Sequence, residues 1–352
     1  MRIEQLTFTR FIAALCIVIF HYGVDIFPFN VNKAMFTGAN VGVSYFFILS
    51  GFVMIIAYHK RTSISAREYL QNRFARIYPI YLLATILLIA YYVVATNLTI
   101  QTDEVILNVL MMQSWVPGKV LTLNFPSWSL SVELFFYLSF PILYNKIYQN
   151  YSLKKLLFPI LVFFVLSQVF FISMFYSSSY EGVHSANHEF LFYFPLLHFN
   201  QFILGNLVGL YFVKRTKVSS KNNAFYILLL ILVCGLILSF DSAMKYHNGL
   251  LGILFVPLIW LVATDKGWIS QLTSHKLMVH LGEISYGVYI LQIPVFVISR
   301  RAFLYMGIQD KTFIFYASLL ALLVVSSFTY KYIEAPLRKR IKSSTFVSAK
   351  KN

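Results

Sequence analysis

The stretch FTRFIAALCIVIFHYGVDI, residues 8–26, decides the class of fold. Every residue from Phe11 to Phe20 is apolar, and the acidic and basic side chains are confined to Arg10, His21 and Asp25. A run of this length is what an α-helix needs to cross the roughly 30 Å hydrocarbon core of a bilayer. Further apolar runs follow at 41–58, 79–96, 127–145, 156–176, 190–213, 224–240, 247–263, 281–299 and 313–331. The expected fold is therefore an all-α polytopic integral membrane protein with about ten transmembrane helices. Composition agrees, because 59% of the chain is hydrophobic and only 12% charged, a balance foreign to soluble domains.

Lys and Arg number 29 against 13 Asp and Glu, a formal charge of +16. In a soluble chain this excess would suggest nucleic acid; in a membrane protein basic residues gather in cytoplasmic links. An even number of spans puts both termini on one side. With the N-terminus inside, the outward links hold Lys33, Lys119, Lys245, Arg300, Arg301 and Lys311, and the other 23 of the 29 lie in inner links and termini. Both termini are thus expected to be cytoplasmic, with residues 1–335 as one membrane domain and 336–352 as a basic tail. Cys16 and Cys234 lie within apolar segments and suggest neither a disulfide framework nor a metal cluster. Asp25-Ile26-Phe27-Pro28 offers no small-residue cleavage site, so the first span is expected to stay uncleaved. In the long outer link 97–126, residues 103–112 read as a short helix lying along the interface.

Ionisable side chains within a span are costly, so each is a functional candidate with a simpler rival. Arg10 and His21 are eleven residues apart, about 16 Å along a helix and only about 20° apart in azimuth, and so share one face. This puts Arg10 at the cytoplasmic mouth and His21 in the outer half. The rival for Arg10 is a snorkelling anchor, and for His21 a helix-to-helix hydrogen bond. Glu133 enters from outside to about 9 Å, close to the roughly 8 Å of His21. A carboxylate beside an imidazole orients the ring and raises its basicity, as a general base requires. Asp25, one turn beyond His21, could do the same, and a structural polar pair is the alternative for all three.

Arg73 and Arg76 lie in Asn72-Arg73-Phe74-Ala75-Arg76-Ile77-Tyr78-Pro79 and are i, i+3 neighbours able to grip one phosphate-bearing ligand. Positive-inside bias explains them equally well. His184 and His188 have helical ligand spacing but no Cys or second carboxylate pair nearby, so no metal is expected. Gly205-x-x-x-Gly209 reads as a close helix contact. No phosphate-binding loop or serine elbow occurs, which argues against a nucleotide-hydrolysing pump.

Together these segments resemble acyltransferase family 3, the membrane O-acyltransferases of bacterial cell-envelope and exopolysaccharide glycans. Arg10 and His21 reproduce an Arg-x10-His signature. Tyr45-Phe46-Phe47-Ile48-Leu49-Ser50-Gly51-Phe52 is similar to the second-helix motif, and Arg73 to Pro79 to the basic motif before helix three. Trp128-Ser129-Leu130-Ser131-Val132-Glu133 with Phe135-Phe136-Tyr137 resembles the helix-four motif, and Glu334-Ala335-Pro336 the one ending the last helix. The chain departs from the family at Gln292, where His is common, and at His198 and Gln201, where an Arg and an acidic residue often stand.

The resemblance implies an enzyme in the bacterial inner membrane, multi-pass, taking acyl-CoA, most simply acetyl-CoA, from the cytosol as co-substrate, with no tightly bound cofactor. The acceptor is a hydroxyl of a cell-surface polysaccharide such as O-antigen or exopolysaccharide, or of its lipid-linked precursor. On this reading Arg10, Arg73 and Arg76 bind CoA phosphates, while His21, assisted by Glu133, deprotonates the sugar hydroxyl. Ser129 or Ser131 is open as an oxyanion donor, and an acylated histidine stays open as a variant. The rival from another class is a proton-coupled exporter or flippase of a glycan or lipid-linked sugar, with Arg10, His21 and Glu133 as its proton relay.

Overall fold

The computed structural model describes residues 3–96, 99–183, 185–215, 222–240 and 246–340. Among these residues the chain is helical, without a β-sheet, and helix falls on each of the ten apolar runs. Seven helices are long and apolar enough to cross a membrane: Gln5–Gly23, Ala39–Tyr58, Ala66–Ala95, Leu153–Phe175, Ala186–Lys214, Lys276–Tyr305 and Lys311–Arg340. Ala224–Ser239 and Gly252–Thr264 are apolar but only 16 and 13 residues long, short of the roughly 20 that a full crossing takes. The remaining run forms the helix Trp128–Ile142, continued as a π-turn to Tyr148.

Two boundaries differ from expectation for identifiable reasons. The third helix starts at Ala66, well before the apolar run, because Ser65 caps it and accepts from the Glu68 amide at 3.5 Å. Arg73 and Arg76 are consequently helical residues. Pro79 sits inside the same helix, where its missing N–H removes one bond without ending it. The short helix of the outer link is Thr102–Val109, stopped by a turn at Met111, whose φ is 56°.

The stretch read as one membrane domain divides into two compact units, residues 1–62 with 146–283 and residues 63–145 with 284–352, the final twelve lying outside the described residues. In the first unit Tyr45, Ile48, Phe52, Phe255 and Ile259 form a buried core. Gly42–Tyr58 and Phe199–Lys214 touch main chain to main chain. A Cβ on Gly51 would collide with the Phe202 carbonyl oxygen and one on Gly205 with that of Ile48, while at Gly209 it would stand 2.8 Å from Ile55 Cβ. The expected Gly205-x-x-x-Gly209 contact is therefore present, and Gly51 is its counterpart on the facing helix.

In the second unit Ala66–Ala95 packs on Trp128–Ile142 and on a π-turn at Tyr330–Glu334. Tyr69, Tyr81, Phe136, Phe140 and Tyr144 are buried at its centre. The link from 99 to 126 packs onto this unit. Gln113 Nε2 donates to the Ser127 carbonyl at 3.1 Å, Ser114 Oγ to that of Trp128 at 2.8 Å and Asn124 Nδ2 to that of Ile290 at 3.0 Å. These three bonds fix the start of the helix that carries Glu133.

Candidate functional site

Arg10 and His21 belong to the first unit. The helix Gln5–Val18 widens into a π-turn at Ile19–Gly23, so His21 sits in the irregular part. A π-turn advances each residue by less than 100°, which moves His21 slightly but keeps it on Arg10's side; such turns are frequent at functional sites. His21 is half-buried between the rings of Phe20 and Tyr22, with centroids 5.0 and 6.2 Å away. Asp25 is exposed and pairs with Lys33 at 2.6 Å.

Packing sets the turn of Arg10 beside the second helix. Tyr45 donates to Thr9 Oγ1 at 2.6 Å and lies within electrostatic reach of Arg10, while Gly42 packs on Ala13 and Ile17. The two helices therefore run antiparallel with residue 45 beside residue 9. Since the second helix continues to Tyr58, Arg10 lies about 20 Å from that far end.

The second unit gathers the other predicted residues around Tyr137. Arg73 lies over two rings, with its guanidinium carbon 5.4 Å from the Tyr69 centroid and 5.8 Å from that of Tyr137. Both distances suit cation–π attraction. Arg73 and Arg76 each act electrostatically on Tyr137, whose hydroxyl donates to Glu133 Oε1 at 2.5 Å. Tyr69 is itself held by Phe140, stacked at 5.5 Å, and meets Tyr137 edge-on at 6.4 Å. The structure thus joins Arg73, Arg76 and Glu133 into one polar stripe, which the sequence reading had kept as an outer carboxylate and an inner pair of arginines.

Tyr286 extends the stripe. Its hydroxyl donates to the Ile77 carbonyl at 2.5 Å, and Glu133 and Glu334 both act on it. Glu334 is buried in the last π-turn and pairs with Arg338 at 3.5 Å. Tyr137, Tyr286 and Arg338 had been given no role. The i, i+4 spacings of Glu133 with Tyr137 and of Glu334 with Arg338 were visible signals, whereas the approach of Tyr286 to Ile77 spans 209 positions and had none.

Neither serine of the Trp128-to-Glu133 motif offers a free proton to that stripe. Tyr289 donates to the Pro126 carbonyl at 2.8 Å, so Ser129, 2.7 Å from the same phenol, gives its proton to Tyr289 or, at 3.1 Å, to Pro126. Ser131 Oγ is buried without a hydrogen-bond partner, but it stands about 200° around the helix from Glu133.

The departures from the family motif are structural. His198 Nε2 lies 2.8 Å from the Phe192 carbonyl and must carry the proton, which leaves Nδ1 to accept from Gln201 Nε2 at 3.0 Å. Asn200 Nδ2 donates to Ser167 Oγ and to the Asn248 carbonyl at 2.6 and 3.1 Å. Gly249, with φ +90°, packs directly on the Gln201 side chain, where a Cβ would not fit. Gln292 Nε2 donates to the Tyr289 carbonyl at 2.6 Å. His188 Nδ1 meets the Tyr180 hydroxyl at 2.6 Å, and His184 lies outside the described residues.

An acyltransferase-domain family model, Acyl_transf_3, matches residues 3–332. The chain is 34% identical to the acyltransferase MdmB of Streptomyces mycarofaciens over 42% of its own length and 40% of that protein's. It is 23% identical to a protein of Staphylococcus aureus strain COL provisionally named an O-acetyltransferase, covering 94% of this chain and 56% of the other. With the O-acetyltransferase OatA of Staphylococcus aureus strain MRSA252 it shares 20% identity over 100% of this chain and 61% of OatA. The chain therefore spans roughly half the length of these relatives. No solved structure matches it.

Proposed function

The chain belongs to the Acyl_transf_3 family, and from that premise we propose that it is a membrane-embedded O-acyltransferase. It moves an acyl group, acetyl by the names of its relatives, from cytosolic acyl-CoA to a hydroxyl of a cell-surface polysaccharide or its lipid-linked precursor. It works in the bacterial cytoplasmic membrane, spans it about ten times and keeps both termini inside, as the basic asymmetry requires. The observation that carries this reading is the stripe of Arg73, Arg76 and Glu133 around Tyr137, which combines phosphate-binding cations with a carboxylate.

Arg73 and Arg76 hold the CoA phosphates, because a planar guanidinium matches phosphate oxygens two at a time. Arg10 joins them in holding the donor's phosphates. His21 takes the proton of the acceptor hydroxyl as that oxygen bonds to the thioester carbon, and Glu133 serves the same acid–base step. The C–S bond then breaks, and the thiolate of CoA leaves with the proton from His21. Support for the two roles comes from motif position.

Purified protein in lipid nanodiscs, given acetyl-CoA with and without an acceptor polysaccharide, tests the assignment. Thiol release that depends on the acceptor, with a matching mass gain on the glycan, is expected. Glycan movement into sealed proteoliposomes of the same protein, without thiol release, would make the protein a transporter.

A further inference from the structure

Tyr137 is held in a way that five other tyrosines of its unit are not. Tyr78, Tyr81, Tyr92, Tyr286 and Tyr289 donate their hydroxyl protons to main-chain carbonyls, of Val109, Asn108, Leu123, Ile77 and Pro126. Those bonds satisfy a buried phenol and tie helices together. Tyr137 donates to a carboxylate instead, Glu133 Oε1 at 2.5 Å. The face of the same ring lies 5.8 Å from the Arg73 guanidinium. One side chain thus meets the carboxylate with its edge and the cation with its face.

We propose that Tyr137 is the positioning residue of the site, its hydroxyl fixing the Glu133 carboxylate and its ring seating the Arg73 guanidinium. The two contacts reinforce each other. Donating a proton towards a carboxylate raises the electron density of the phenol ring, and a richer ring face attracts a guanidinium more strongly. Tyr69 completes the seat from the Arg73 side, and Phe140 holds Tyr69 by stacking. Sequence context supports a need for the hydroxyl, because the preceding residues Phe135 and Phe136 are aromatic without one. A ring alone would have sufficed for packing. The inference rests on the acyltransferase reading, in which Arg73 binds the donor and Glu133 serves the acid–base step.

Two substitutions separate the contacts. Tyr137→Phe keeps the ring and loses the bond to Glu133; Tyr137→Leu loses both. With acetyl-CoA and an acceptor glycan, Tyr137→Phe should lower kcat about tenfold or more, the usual worth of a hydrogen bond to a charged group. Its KM for acetyl-CoA should stay within about threefold of wild type, since the cation's seat remains. Tyr137→Leu should lower kcat as much and also raise KM for acetyl-CoA about fivefold or more. In a Glu133→Gln background, Tyr137→Phe should cost little further. Glu133→Gln and Arg73→Ala are measured beside them. If these two are impaired while both Tyr137 variants behave as wild type, Tyr137 only packs and the inference falls alone. If Glu133→Gln and Arg73→Ala are themselves fully active, the acyltransferase assignment of the stripe falls, and the inference with it. Tyr137→Phe differs by one oxygen atom, so it decides the matter even if Tyr137→Leu does not fold.

Discussion

The polar groups around His198 and those around Glu133 are both enclosed by helices, yet they are held in opposite ways. Around His198 the groups are neutral, and their donors end on main-chain carbonyls, on a hydroxyl or on the imidazole itself. Around Glu133 the Arg73 guanidinium, a carboxylate and phenol rings hold one another through side chains, with Arg76 within electrostatic reach. A neutral network closed on the backbone satisfies buried polar atoms and fixes helix packing. Charged groups held by other side chains can exchange those partners for a charged substrate, because a cation seated on a ring keeps donors for phosphate. The proposed roles rest on this contrast, with packing around the first region and substrate around the second.

The most severe way to break that contrast is to exchange histidines. His21→Ala should reduce acyl transfer on the order of 10² to 10⁴, the usual worth of a general base. Glu133→Gln should approach that loss, and the double variant should be little worse than the poorer single, as expected of residues acting as a unit. His198→Ala should instead lower the thermal midpoint while the folded fraction turns over within about threefold of wild type. Rates normalised to folded protein, with unfolding followed by fluorescence, check all four variants. A His198→Ala protein that is stable and inactive would end the distinction.

The arginines give the next largest effect. Arg73→Ala and Arg76→Ala should each raise KM for acyl-CoA about tenfold, because each loses charge-assisted hydrogen bonds to phosphate. Lysine at either position should rescue only part of this, keeping the charge without the planar fork. Initial rates over a range of acyl-CoA concentrations measure both. Unchanged KM values would leave these arginines as topological signals only.

Much of this architecture was legible because membrane helices advertise themselves through apolar length, and every apolar run became helix. Boundaries were less legible where polar residues continue a helix. The cap at Ser65 adds more than three turns below Pro79, and that extension turns Arg73 and Arg76 from link residues into helical ones. Position along one helix is silent about how far the neighbouring helix extends beyond it; only the Tyr45-to-Thr9 bond shows that offset. The π-turns holding His21 and Glu334 have no sequence signature in hydrophobic spacing, because one inserted residue leaves the apolar pattern intact. Glu133 was found by the cost of a charge in a span. Its partner Tyr137 hid among aromatic residues that read as ordinary core, although it stands one turn away.

The smallest expected effect sharpens the edge of the charged region. Ser129→Ala removes a hydroxyl that gives its proton to Tyr289 or Pro126, and should cost about 1 kcal/mol of stability. Ser131→Ala removes a buried hydroxyl with no hydrogen-bond partner, so stability should change by no more than about 0.5 kcal/mol and is as apt to rise as to fall. Both variants should retain activity within about twofold, since Ser129 has its proton committed and Ser131 faces away from Glu133. Thermal unfolding and acyl-transfer rates of the two proteins, measured side by side, read both quantities. Ser131→Ala losing about tenfold or more in kcat with unchanged thermal stability would make its hydroxyl a contact of the reacting ester. The chemistry would then extend around the helix to the face opposite Glu133, and the polar stripe would be only half of the site.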